Sequence, residues 1–118
     1  MTAIEQARRI AALAQSKLAK DVVILDMQPV VSYTDYLVVC SGNTPRQTKG
    51  IWDEIHLRLK QEDGLIPRSV AGLGEGTWIV ADYLDVVLHV FTPQVRDFYR
   101  LDELWGDAPR EIPEALSA

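Results

Sequence analysis

Thr77–Trp105, TWIVADYLDVVLHVFTPQVRDFYRLDELW, reads as a β-hairpin that runs straight into a helix. Residues 77–83 and 86–91 are rich in β-branched and aromatic side chains, and the connection around Leu84 and Asp85 is short enough to force antiparallel pairing. With Tyr83 opposite Val86, Ala81 meets Leu88 and Ile79 meets Val90 on one face. Asp82, Val80 and Trp78 then lie opposite Val87, His89 and Phe91 on the other. The first face is aliphatic apart from Tyr83, as beneath a covering helix. The second mixes Trp78, Asp82, His89 and Phe91. A second layer over it would bury Trp78 and Phe91, hydrogen-bond His89 and leave Asp82 at a turn. Burying a carboxylate without a partner is costly, however, and aromatic anchors beside selected polar groups are the composition of a protein-binding surface.

Working outward, Thr92-Pro93 starts a helix in which Val95, Phe98, Leu101 and Trp105 face the sheet while Arg96, Tyr99 and Glu103 face elsewhere, and Gly106 ends it. Residues 107–118, with two prolines among small or acidic side chains, read as a flexible tail, which places the domain at residues 1–106. Upstream, the glycine-rich residues 71–76 read as a flexible connection, and residues 65–70 as a strand confined to a sheet edge by Pro67. Thr44, Pro45 and Gln47 cap a helix whose stripe is Ile51, Ile55 and Leu59, with Trp52 alongside and Gly64 beyond its end. Residues 36–40, YLVVC, form a continuous apolar run suited to a central strand buried on both faces. Residues 22–27 are a shorter buried strand. Thr2 and Glu5 make a capping box before the stripe Ile4, Ala7, Ala11, Ala14, Leu18. The sum is an α/β fold, a single-domain mixed sheet covered by helices.

At 118 residues the chain can bury a core without metal or disulfide staples. Its net charge of −5 argues against direct nucleic-acid binding, which needs a basic patch, and suits a basic protein partner. Cys40 is the one cysteine, so no internal disulfide forms. No apolar run has membrane-spanning length, and the N-terminal charges at helical spacing leave no uninterrupted apolar core of a signal peptide. A cytoplasmic location and no membrane association are expected.

The residues with catalytic potential are poorly placed for it. Gly72, Gly74 and Gly76 precede a strand, whereas a phosphate-binding loop precedes a helix N-terminus. Cys40, with His89 or His56 as base, sits in the most apolar run of the chain, where a thiol is inert. Asp35, Asp82, Asp85 and His89 lack the spacing of a known metal site. Arg46 and Lys49 in a first helical turn make a weak anion site. No catalytic residue, cofactor or metal is assigned. The mixed hairpin face with the last helix is the candidate site, in which Trp78, Phe91 and Tyr99 offer contact area while Asp82 and Asp85 offer acceptors for a partner's Lys or Arg.

TDYLVV at residues 34–39, Ser41-Gly42-Asn43 with Arg46-Gln47, WIVADY at residues 78–83, DVVLHVF at residues 85–91, and Arg96 with Phe98, Tyr99, Leu101, Leu104 and Trp105 together resemble the ribosomal silencing factor (Iojap-like) family, over roughly residues 4–105. The resemblance implies a nucleotidyltransferase-like fold without catalysis. It also implies binding to the large ribosomal subunit, through its fourteenth ribosomal protein on the intersubunit face, so that small-subunit joining is blocked and translation falls under nutrient limitation. The implied contact residues are Trp78, Asp82, Tyr83, Asp85 and His89, with Arg96, Tyr99 and Trp105 supporting or extending them, and homodimers are common in the family. Leu84 stands at a turn position where the family usually has glycine, which implies a wider turn or a strained one, and an exposed leucine added to the contact. Gln94 replaces a usual glutamate. Two alternatives stand beside this reading. One is a magnesium-dependent nucleotidyltransferase-type enzyme, which needs carboxylates closer together than Asp82 and Asp85. The other is an adaptor for another basic protein.

Overall fold

The computed structural model describes residues 1–113. The capping box forms as read: Thr2 Oγ1 accepts from the Glu5 amide and Glu5 Oε1 from the Thr2 amide, opening α1 (Ala3–Ser16). β1 (Lys20–Asp26) follows, with a bulge between Lys20 and Val23 where Asp21 adopts φ 51°. β2 (Tyr36–Ser41) leads to α2 (Pro45–Arg58) and a π-helical turn over Leu59–Asp63, which ends at Gly64 with φ 67°. β3 (Ser69–Ala71), β4 (Trp78–Asp82) and β5 (Val86–Phe91) come next, then the short helices α3 (Pro93–Phe98) and α4 (Leu101–Leu104) and the two-residue β6 (Arg110–Glu111).

The strands form one mixed sheet in the order β3-β4-β5-β2-β1-β6, with β2 parallel to β5 and the other pairs antiparallel. β2 is central, and residues 37–40 are all buried, as their unbroken apolar run requires, with the polar Ser41 buried beyond them. α1 and α2 cover one face, where Ala7, Ala11 and Ala14 let the helices approach Ile24, Val38, Leu88 and Val90 closely. The other face holds a smaller core of Val23, Leu25, Leu37, Val39 and Phe91 under Leu101, Val95 and Trp105. Among the described residues no helix is long and apolar enough to cross a membrane.

The hairpin has the register anticipated from its residues: Trp78 pairs with Phe91, Val80 with His89 and Asp82 with Val87. Three expectations are corrected. First, the last helix is not continuous. Arg100 takes a left-handed conformation (φ 50°, ψ 48°) and splits it, so Phe98, expected on the sheet, is 79% exposed while Leu101 is buried. Second, residues after 106 do not begin as a loose tail, because Ala108 is buried and β6 pairs with Ile24 and Leu25 of β1. The Arg8 guanidinium grips Glu111 with two bonds of 2.8 and 2.9 Å. Residues 114–118 lie outside the described ones. Third, the glycine-rich connection is pinned: Thr48 Oγ1 donates to the Gly76 carbonyl, Lys49 Nζ to that of Gly74, and the Gly76 amide to the Gly72 carbonyl. At Gly72 (φ 87°) a Cβ would lie 1.9 Å from the Trp78 carbonyl oxygen, so only glycine fits there.

Tyr83 is also corrected. Its side chain enters the face under α1 and α2, its hydroxyl is buried without a hydrogen-bond partner among the described residues, and burial pushes its pKa up to about 12. It is a core residue and offers nothing to a binding surface. Tyr83→Phe removes the stranded hydroxyl while keeping the ring, and is expected to raise stability by about 1 kcal/mol. A lower midpoint in urea would mean that the hydroxyl is satisfied after all.

Candidate functional site

On the second hairpin face, strand alternation brings Trp78, Val80 and Asp82 of β4 beside Phe91, His89 and Val87 of β5. Phe91 is fully buried and forms the floor. Trp78 packs on it at a ring-centroid distance of 5.1 Å and its indole Nε1–H donates to His89 Nδ1 at 3.1 Å. That bond requires the neutral imidazole, and burial pushes the His89 pKa down to about 4. Because this lies below the ordinary value of 6.5, the unfolded chain takes up the proton first. The contribution of His89 to stability is therefore complete above about pH 6.5 and is lost on acidification towards pH 4. Trp105 lies 5.1 Å from His89 and Tyr99 5.7 Å from Trp78, so α3 and α4 close the aromatic group from the side of the sheet opposite α1.

The break at Arg100 decides what this group exposes. Tyr99 is 57% exposed, and Phe98 and Leu104 also point outward, the Phe98 and Tyr99 rings meeting edge to face at 5.0 Å. Arg96, expected to support the contact, is only 8% exposed. It is a clamp: its guanidinium bonds both carboxylate oxygens of Asp102 at 2.9 and 3.1 Å, Ser41 Oγ at 2.9 Å and the carbonyl of Asp21 at 3.2 Å. A positive charge left at helical spacing on a polar face gives no hint of this, since all but Asp102 of its partners lie far away in sequence.

Asp82, Leu84 and Asp85 sit at the turn end of the hairpin. Trp78 is four residues from Asp82, about 13 Å along an extended strand. Asp82 is already engaged: one oxygen accepts from Arg68 at 2.7 Å and the other from the Leu84 amide at 2.8 Å. The Arg68 bond, with the Leu84 amide, holds the carboxyl below its usual range. Asp85 is exposed, and its carbonyl accepts from the amides of Asp35 and Tyr36 at 3.1 Å each, which ties the turn to the start of β2. Leu84 is 53% exposed at φ 76° in a turn closed by the Tyr83 amide on the Val86 carbonyl, so the turn is strained rather than widened. Leu84→Gly relieves that strain at some cost in unfolded-chain entropy. The expected result is a stability gain of up to about 1 kcal/mol, read from denaturant midpoints, and a large loss would show that the leucine packs on the fold.

The site therefore contains Trp78, His89, Tyr99 and Trp105 as one aromatic group and Asp82, Leu84 and Asp85 as a separate turn. Tyr83 and Arg96 do not belong to its surface. Phe98, Leu104 and Arg68 lie beside these residues and are not among the contacts expected from the sequence: an unbroken helix turns Phe98 to the sheet, Leu104 enters only as part of the family resemblance, and Arg68 is distant in sequence from the Asp82 it pairs with. Cys40 is buried and pushed up to about 12 by desolvation, unsuited to act as a nucleophile.

A family model described as "Ribosomal silencing factor during starvation" matches residues 1–118. The chain is 38% identical over 99 residues to "Ribosomal silencing factor RsfS" of Bacillus subtilis, covering 84% of this chain and 83% of that protein. It is 28% identical over 101 residues to the mouse protein "Mitochondrial assembly of ribosomal large subunit protein 1", of which it spans 43%. A crystal structure of a Chromobacterium violaceum protein superimposes with a TM-score of 0.85 at 29% identity, covering all of this chain and 95% of the other.

Proposed function

We propose, from the premise that this chain belongs to the ribosomal silencing factor family, that it binds the large ribosomal subunit and lowers translation without catalysing a reaction. In this reading it docks on the fourteenth large-subunit protein, on the face that meets the small subunit, and blocks subunit joining by occupying that space in the cytoplasm. The observation that carries the reading is Trp78, a large, half-buried aromatic side chain locked by His89 and flanked by the exposed Tyr99. Rigid tryptophan anchors of this kind concentrate binding energy because little entropy is lost when they are covered. The name of the mouse relative supports a large-subunit partner. An acidic chain also suits a basic ribosomal protein. Within this reading Trp78, Tyr99 and Trp105 form the centre of the contact, Leu84 and Asp85 extend it at the turn, Asp82 braces the turn, and His89 positions Trp78.

The test is co-sedimentation with purified large subunits, followed by addition of small subunits. The protein is expected to pellet with large subunits and to suppress formation of the full ribosome. Failure to pellet at micromolar concentration would overturn the reading and bring forward an adaptor role for a different basic protein.

A further inference from the structure

We propose that the groove between the glycine-rich connection and α3 receives an arginine side chain of the partner, stacked on Trp78 and Tyr99 and paired with Glu75. The groove, about 390 Å³, is lined by Glu75, Thr77, Trp78, Val95 and Tyr99 with the backbone of Gly72 and Gly74. Three features specify the occupant. The Trp78 indole N–H is already spent on His89, so what this residue has left to offer a ligand is its π surface. Tyr99, 5.7 Å away and tilted by 46°, adds a second aromatic wall on a different element. Glu75 is the one charged residue among those lining the groove, and it is exposed at its rim. Two aromatic walls and a carboxylate suit a planar cation, and a guanidinium combines stacking with a forked carboxylate contact that an ammonium cannot match. The walls are set in place before binding: Thr48 and Lys49 hold the connection that carries Glu75, and Arg96 holds the short helices that carry Tyr99. Only the partner's identity rests on the ribosome-binding reading.

The experiment has two arms. In the first, isotope-labelled protein is titrated with N-acetyl-arginine amide at millimolar concentration, with N-acetyl-citrulline amide, its neutral isostere, as control. The Trp78 indole and Tyr99 resonances are expected to shift saturably with the arginine compound alone. Glu75→Gln is expected to weaken the response about threefold and Tyr99→Leu about fivefold. Equal shifts from citrulline, or none from arginine, overturn the inference. In the second arm the same two variants, both altered at exposed positions, are sedimented with large subunits and should lose affinity by similar factors. Wild-type affinity in both variants overturns the inference and leaves the ribosome-binding reading standing. Arginine-specific shifts in a protein that does not pellet would uphold the groove and overturn that reading instead.

Discussion

Arg96→Ala is expected to lower the unfolding free energy by about 3 kcal/mol, the largest stability effect of any polar substitution considered. The reasoning starts from burial. Arg96 is 8% exposed, and its guanidinium joins three separate segments: Asp102 of α4, Ser41 at the end of β2 and Asp21 in the bulge of β1. Its removal strands the buried Ser41 hydroxyl, gives up the bond to the carbonyl of the exposed Asp21 and opens a gap beneath α3. Asp102, 51% exposed, regains water, which keeps the loss near the lower end of the range for broken buried pairs. For a chain of this size the expected drop in melting temperature is roughly 10 °C. Arg96→Lys should recover only part of it, because an ammonium cannot bond both Asp102 oxygens and Ser41 together. The effect should also depend on pH. The Arg96 hydrogen bond, with its charge, holds the Asp102 carboxyl below the ordinary 3.8, so the pair stabilises the fold fully above that pH and loses its contribution as pH falls through the folded value. The difference between wild type and variant should therefore narrow in acid by the share that Asp102 contributes, while the loss of the Ser41 bond and of the packing remains. Equal midpoints at neutral pH would show that the clamp contributes nothing.

Trp78→Ala is expected to weaken binding to the large subunit about thirtyfold or more, which corresponds to about 2 kcal/mol for a central aromatic anchor. The variant also loses the packing of Trp78 on Phe91 and leaves His89 Nδ1 without its donor, so part of the change is a loosened surface. Trp78→Phe separates the two contributions. It keeps most of the ring area over Phe91 but not the hydrogen bond to His89, and should bind with intermediate affinity while melting close to wild type. Sedimentation at graded protein concentrations, with circular dichroism to verify folding, reads both. A folded Trp78→Ala protein that binds as wild type does would remove the hairpin face from the proposed contact.

The parts of the fold that were legible in the chain are those in which local chemistry and long-range packing favour the same conformation. Thr2 and Glu5 bond each other across one helical turn, so the start of α1 is written in four residues. The pairing of Trp78 with Phe91 follows from a two-residue turn and strict alternation, and Leu84 in a left-handed conformation completes the turn despite its side chain. At Thr44 the agreement is partial: its hydroxyl accepts from the Gln47 amide, but the Gln47 side chain accepts from Asn43 rather than closing the box. Where distant groups outweigh local preference, reading failed. Val95, Phe98, Leu101 and Trp105 have the spacing of one helix, yet Arg100 breaks it, and the break is held by bonds from Arg96 to β2 and to the bulge in β1.

The sequence by itself determined the class of fold, the central position of β2, the register of the hairpin and the aromatic character of its second face. Periodicity, capping and turn length act over a few residues, and the chain carries them explicitly. Tertiary structure alone decided which of those residues remain available to a partner. It drew Tyr83 and Arg96 inward, tied Asp82 to Arg68, turned Phe98 and Leu104 outward and folded residues 108–111 back onto β1. The physical reason is that burial, ion pairing and strand addition depend on groups brought together from distant parts of the chain, and a charge or an aromatic ring has the same local signature whether its partner is its own fold or another molecule.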